Sequence, residues 1–238
     1  MKVDLIDHMG SDLTVVNAAR VSFDKTSSQL NHDDIRLIRY LAKHNHWSPF
    51  SHAFLQFRVK APIFVARQLG KHQVGLSWNE VSRRYVDYKP EFYYPDNWRL
   101  KAENVKQGSS EETVPDEEAW CDMNSYQDSW DGPADSWPHK YYIRDLCKDA
   151  VHLYESLMEH PGVAPEMARM VLPQNMYTEW YWSGSLYAFA RVCQLRLDKT
   201  SQVEVQHIAR QISAHCITKF RHSWTALMEG EIDGKDEA

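Results

Sequence analysis

Residues 55–60, "LQFRVK", alternate strictly between apolar and polar side chains. Successive side chains of a strand point to opposite faces, so Leu55, Phe57 and Val59 define a core face, and Gln56, Arg58 and Lys60 face water or a ligand. Such a strand needs a covering layer, and the neighbouring segments read as helices. "NHDDIRLIRYLAKHNHW" opens on capping residues and early acids; Ile35, Ile38, Leu41 and Ala42 recur at helical spacing, and Lys43 and His44 come late. "APIFVARQLG" predicts a helix with Pro62 at its first position and Gly70 as its stop. "KVDLI" alternates weakly as a strand, and "YKPEFYYP" reads as extended. Ile143, Leu146, Ala150, Leu153 and Leu157 form the apolar stripe of a long helix, and "PEMARMVL" is a short one between Pro165 and Pro173. "SGSLYAFARVCQLRL" and "QVEVQHIARQISAHCITKF" predict two more. The expectation is α plus β, with helices dominating toward the C-terminus.

With 238 residues, 43% hydrophobic, the chain has enough apolar side chains for one sizeable core, so residues 1–238 are expected to form a single domain. No apolar run approaches the ~18–20 residues of a membrane span, and charges interrupt the N-terminal "MKVDLIDHMG", so neither membrane attachment nor export is expected. Cys121, Cys147, Cys193 and Cys216 are far apart and form no C-x-x-C pair, which suits free thiols in a reducing cytoplasm. The net charge of −6 is unevenly distributed: residues 101–137 hold ten acids and two bases, the remainder 23 acids and 25 bases. An acidic surface insertion therefore hangs on a near-neutral body, which lacks the basic footprint of a nucleic-acid binder.

"KHQVGLSWNEVSRRY" at 71–85 is polar on both of its alternate faces. It is either a solvated loop or a ligand cradle. Gly70 and Gly75 allow close backbone approach, Lys71, His72, Arg83 and Arg84 suit phosphates, and Ser77, Asn79 and Ser82 offer donors and acceptors. Leu186, Phe189, Cys193 and Arg196 follow at spacings of 3, 4 and 3, so Arg196 lies on an apolar stripe. It is either a snorkelling side chain or a partly buried guanidinium awaiting an anion, and Arg169 has the same two readings. His44, His46 and His52 gather in "KHNHWSPFSH", but their spacing matches no standard metal set, and no metal is expected. Ser82 lies in no G-x-S-x-G elbow, and no G-x-G-x-x-G or Walker loop is present.

Ser77, Asn79, Glu80, Ser82, Arg84 and Tyr85 match, in order and spacing, the second half of a motif of the flavin-dependent thymidylate synthases. "NAARVSFDK", "YLAKHNHWSPFSH", "VKAPIFVARQ", "EFYYP", "ARMVLPQNMYT" and "LRLDKTSQVE" also resemble that family, so the likeness covers most of the chain outside 101–137.

The resemblance implies an α/β (α+β) fold with a central, largely antiparallel sheet packed with helices. It implies dTMP synthesis from dUMP, with methylenetetrahydrofolate as carbon donor, FAD as hydride carrier and NADPH as reductant, in a homotetramer with shared active sites. Arg196 matches the arginine that favours the ionised N3 of the uracil. Gln68, Lys71, Glu80, Val81, Ser82, Arg83, Arg84 and Arg169 fall in the dUMP set. Ser48, Lys71, His72, Gln73, Val74 and Glu80, with Ser185, Tyr187 and Arg191, fall in the FAD set. His46 and Tyr85 fall near folate and flavin. Two departures stand out: the family's Arg-His-Arg is Lys71-His72-Gln73 here, and one extra residue before Ser77 requires Gly75 or Leu76 to bulge. They keep open a second reading, a non-catalytic nucleotide-binding protein that has lost flavin. A single-stranded nucleic-acid binder, suggested by nine tryptophans, conflicts with the charge balance.

Overall fold

The computed structural model describes residues 1–103, 108–114, 120–121, 137–160 and 162–229, with side chains left out at 120–121 and 137–142. Most of the acidic insertion lies outside these residues. The elements run β1 (Lys2–Met9), α1 (Asp12–Arg20), α2 (His32–Lys43), β2 (Phe54–Pro62), α3 (Ile63–Leu69), β3 (Leu76–Glu80), β4 (Arg99–Lys101), β5 (Ser109–Thr113), β6 (Trp120–Cys121), β7 (Trp137–Pro138), α4 (His139–Glu159), α5 (Pro165–Ala168), β8 (Tyr177–Ser185), α6 (Leu186–Arg196), α7 (Val203–Lys219) and α8 (Arg221–Glu229). Two compact units result: Met1–Ala61 with Val65–Glu80 and Glu179–Ala238, and Pro62–Phe64 with Val81–Thr178. Among the described residues no helix is long and apolar enough to cross a membrane.

The first unit holds a four-stranded sheet in the order β1-β2-β8-β3, antiparallel at β1–β2 and at β3–β8. The alternation in β2 is borne out. Leu55, Phe57, Val59 and Ala61 are buried, while Gln56 donates to the Ser183 hydroxyl at 3.0 Å and Arg58 to the Glu179 carboxylate at 2.8 Å, both on β8. Phe57 meets Phe189 edge-on at 4.9 Å, and Trp182 meets Phe189 at 5.4 Å, so α6 sits on the buried face of the sheet. Helices α7 and α8 pack against α6 and complete the core with Ile208, Ile212, Phe220 and Trp224. Helix α2 starts where its sequence predicts: the Asn31 side chain accepts from the Asp34 backbone N–H at 3.1 Å, and Asp34 accepts in return from the Asn31 N–H at 3.2 Å. Asp12 caps α8 from a distance in sequence, its buried carboxylate accepting from the backbone N–H groups of His222 at 3.0 Å and Ser223 at 2.8 Å.

Two sequence expectations are corrected here. Ser183, Gly184 and Ser185 end β8 and do not begin a helix; α6 starts at Leu186, with the Ser185 hydroxyl as its N-cap accepting from Ala188 N–H at 3.2 Å. Pro62 closes β2, and Ile63 opens α3.

In the second unit, Ile63 and Phe64 donate their backbone N–H groups to the Met176 and Gln174 carbonyls, which satisfies the first turn of α3. Residues around Phe92 are extended as expected and pair with Met176. The α4 stripe is corrected by one position: Cys147, Val151 and Tyr154 are buried, while Leu146 and Leu153 are about half exposed. Both rows have helical spacing, and the tertiary neighbours decided between them. Asn175 is one such neighbour, donating to the Tyr93 carbonyl at 2.9 Å and to the Cys147 sulfur at 3.4 Å.

Candidate active site

In the first unit the polar segment after α3 is wound tightly before it becomes a strand. His72 N–H donates to the Leu69 carbonyl at 3.0 Å, and Leu76 N–H to the Gln73 carbonyl at 3.2 Å. Gly75, the third residue of that second turn, has φ +75°, and a Cβ there would stand 3.2 Å from the Ala188 Cβ. Gly75 thus takes a conformation that suits glycine, at one of the two positions where the resemblance calls for a bulge before Ser77. Lys71, Gln73 and Val74 are exposed around this turn.

Strand β3 then pairs with β8, Leu76 opposite Gly184 and Glu80 opposite Trp180. Of the two readings of the segment, the solvated loop does not hold for 76–80. Trp78 is the anchor, stacked on Trp180 at 4.3 Å and edge-on to Trp182 at 5.5 Å. Its indole N–H donates to a Glu80 carboxylate oxygen at 3.2 Å, which fixes the direction of that acid. Gln68, on α3, donates to the side-chain carbonyl of Gln202 at the start of α7. The loop before Gln202 is shaped by Asp198, which accepts from the Thr200 N–H at 2.8 Å and hydroxyl at 2.6 Å.

Arg196 ends α6, and its Nε–H donates to His72 Nε2 at 2.9 Å. The apolar stripe is real: Leu186, Phe189 and Cys193 are fully buried, and Arg196 is half-buried below them. Burial, then the charges of Arg196 and Arg191, lower the His72 imidazolium from 6.5 to about 4. A neutral imidazole with its proton on Nδ1 is the form that accepts at Nε2. Arg196 has no carboxylate partner among the described residues, and its two terminal nitrogens are uncommitted.

Arg191, one turn from Tyr187, lines a cavity of 210 Å³ in the same unit. Leu41, Phe50 and Leu227 form its apolar wall, Trp47 and Tyr187 its aromatic one with ring centres 6.1 Å apart, and Asn45, His46 and Gln194 its polar edge. His46, Tyr187 and Arg191 are therefore brought together. Ser48 opens the short 3-10 turn after Trp47 and is exposed. Ser185 is buried, its hydroxyl engaged as a helix cap. Flat rings, a cation and amides fit a planar, anionic cofactor such as a flavin. Among the described residues no group of three or more His, Cys, Asp or Glu converges as a metal site.

In the second unit, Ser82 accepts from both the backbone N–H and the Nε–H of Arg84 at 3.3 Å. Tyr85 N–H donates to the Ser82 carbonyl at 2.9 Å and closes the turn. Val81, Arg84 and Tyr85 are exposed, with the Arg84 guanidinium 5.0 Å from the Tyr85 ring centre. Arg83 is buried: it donates to the Tyr88 carbonyl and lies 4.5 Å over the Tyr88 ring, so it fastens its own loop. Arg169, in a 3-10 turn after α5, donates to the Glu166 carbonyl at 3.3 Å and is exposed.

Sequence reasoning did not single out Trp47, Trp180, Gly184 or Gln202. The alternation of Thr178, Trp180, Trp182 and Gly184 against Glu179 and Tyr181 was the available signal for β8 and its tryptophans. Gln202 had none, since its contact spans 134 positions.

The profile of the thymidylate synthase complementing protein family matches residues 4–220. A flavin-dependent thymidylate synthase of Thermus thermophilus is 39% identical over 232 residues, 98% of this chain and 77% of that protein. That of Thermosipho africanus is 38% identical over 221 residues, 93% of this chain and 87% of that protein. A UMP/dUMP methylase, PolB from Streptomyces cacaoi, solved with 5-Br dUMP, superposes with a TM-score of 0.76 at 30% identity, covering 96% of this chain and 94% of its own. By that match over most of its length and by these relatives, the chain belongs to the flavin-dependent thymidylate synthase family.

Proposed function

We propose that the chain, acting as a single catalytic domain within a homotetramer in the cytoplasm, converts dUMP to dTMP with methylenetetrahydrofolate as carbon donor and NADPH as reductant. FAD, when bound, supplies hydride transfer between NADPH and the new carbon substituent. The observation that carries the reading is Arg196: a half-buried guanidinium at the end of an apolar stripe, without a carboxylate, held by a neutral histidine. A cation so placed favours an anion, and the ionised N3 of a uracil is such an anion. Hydrogen bonds from the two terminal nitrogens would hold that charge on the ring and enrich C5, where the new bond forms.

The other residues are assigned binding and orienting work. In the first unit, Gln68, Glu80 and Lys71 are offered to dUMP, with Trp78 directing Glu80. In the second, Ser82, Arg84 and Arg169 offer a hydroxyl and guanidinium groups suited to phosphate and ribose, with Val81 in the same run and Arg83 shaping the loop. His72, Gln73, Val74, Ser48, Ser185, Tyr187 and Arg191 are assigned to FAD, and His46 and Tyr85 to the folate side. The Ser82 hydroxyl accepts from Arg84 and, among the described residues, hydrogen-bonds to no base, which suits a binding group, not a nucleophile.

The test is the visible spectrum of purified protein with FAD, then NADPH and dUMP without oxygen, followed by dTMP assay. Bleaching of oxidised flavin and product formation are expected, and Arg196→Ala should lower dTMP formation by at least ~10² with the oligomer intact. Flavin that never binds while dUMP does would replace this reading with the nucleotide-binding remnant, in which Lys71 and Gln73 mark the loss.

A further inference from the structure

We infer that His72 is the positioning residue for Arg196, a neutral acceptor that holds the guanidinium by its Nε edge and leaves its two terminal nitrogens facing the substrate base. The inference deepens the proposed function and rests on its assignment of Arg196. It gives His72 a task within the protein that does not require a bound flavin.

The geometry is specific. The Nε–H of Arg196 reaches His72 Nε2 at 2.9 Å, across 124 positions of sequence. An arginine at the last turn of a helix has several free torsions, and fixing one N–H narrows them before the ligand arrives, which reduces the ordering cost of binding. A carboxylate in the place of His72 would hold Arg196 more strongly, but it would neutralise the charge that the substrate anion is to meet. A neutral imidazole fixes direction and leaves the charge unspent. His72 is itself held at the exit of α3 by its backbone bond to Leu69, and the Gly75 turn follows directly. Its burial opposes protonation first, and so do the charges that face it, Arg196 and Arg191, both from α6. The imidazole therefore stays an acceptor across the neutral range. Protonation would turn Nε2 into a donor against another donor and release the arginine.

The test measures dUMP binding calorimetrically on flavin-free protein, so the outcome does not depend on a loaded enzyme. Four variants are compared: His72→Leu, which removes the acceptor; His72→Gln, whose side-chain carbonyl restores one at similar reach; His72→Lys, which places a cation there; and Arg196→Ala. Expected are a loss of roughly tenfold or more for His72→Leu and a larger one for His72→Lys, with His72→Gln within about threefold of the parent. Below about pH 5 the affinity of the parent should fall relative to His72→Gln measured at the same pH, a ratio in which the titration of dUMP itself cancels. A merely structural His72 would give Leu and Gln variants with equal affinity and no difference in pH profile. If His72→Leu binds dUMP as the parent does while Arg196→Ala does not, the positioning role is overturned and the assignment of Arg196 survives. If Arg196→Ala also binds normally, the assignment of Arg196 itself has failed.

Discussion

Gly184→Ala tests how the site is held in place. Gly184 stands opposite Leu76 where β3 leaves the Gly75 turn. A Cβ at Gly184 would lie 2.5 Å from Leu76 Cδ2 and 2.6 Å from the Gly75 carbonyl oxygen. The leucine can rotate away; the carbonyl belongs to the backbone of a turn that itself leaves little room toward Ala188, since even a Cβ on Gly75 would stand 3.2 Å from the Ala188 Cβ. Relief requires β3 and its turn to move by most of an ångström. In an ordinary strand alanine is favoured over glycine, so the sign is decided by this contact. Overpacking of this kind costs about 1–3 kcal/mol, and at roughly 2–4 °C per kcal/mol for a chain of this size the melting temperature should drop by about 2–12 °C. The same movement would stretch the 2.9 Å Arg196–His72 bond beyond hydrogen-bond length, and kcat should fall by up to ~10². Thermal unfolding by circular dichroism, dUMP calorimetry and dTMP assay measure the three effects. Gly162→Ala is the control: Gly162 has φ +77° and an added Cβ would meet nothing within 4 Å, so the substitution should cost only about 1 kcal/mol and leave dUMP binding unchanged. A Gly184→Ala protein with parental melting temperature and parental dUMP affinity would refute the idea that close backbone approach seats this segment.

Asp12→Ala should lower stability by about 2–4 kcal/mol, read by urea denaturation, because two backbone N–H groups at the first turn of α8 lose a charged acceptor; Asp12→Asn should lose less. His72 carries a pH dependence with a definite sign: its folded value, about 4, lies below the ordinary 6.5, so the unfolded chain binds more protons between the two. Stability is full above pH 6.5 and declines as pH falls toward 4, by about 1–2 kcal/mol after discounting for its half exposure, and His72→Gln should flatten that part of the curve. Cys193 and Cys216 are buried with their thiols pushed up by burial, so alkylation of the native protein should spare both until it unfolds, as peptide mapping would show.

What could be read from the sequence was local chemistry with an unambiguous period or cap. The β2 alternation, the capping residues that open α2 and the Arg196 stripe are each decided by neighbours within a few positions, and each is found where expected. The long helix α4 shows the limit. Its leucine row and its Cys147–Val151–Tyr154 row both have helical spacing, and hydrophobicity alone favours the leucines. Burial followed the row that meets residues distant in sequence, Asn175 among them. Strand β8 was passed over for a different reason: its inward face, Thr178, Trp180, Trp182 and Gly184, does alternate with Glu179 and Tyr181, but it holds no aliphatic residue to draw the eye. The His72–Arg196 bond joins two motifs that sequence resemblance assigned to different ligands, and nothing in either motif announces the contact.

That contact also bears on the two departures from the family motif. Where the resembled motif carries arginines on both sides of His72, this chain carries Lys71 and Gln73, yet the imidazole is still held neutral, first by burial and then by the charges of Arg196 and Arg191 on α6. Cations near a half-buried neutral imidazole, with no carboxylate against Arg196, are an expensive arrangement for a protein that binds nothing there. A chain selected only for folding would place an acid beside Arg196 or move it into solvent, as Arg58 does with Glu179 and Arg36 with Asp33 on the exposed surfaces. The arrangement is understandable if the missing counter-charge arrives with the ligand, and the two substitutions then fall where the lost charge is made up from the neighbouring helix.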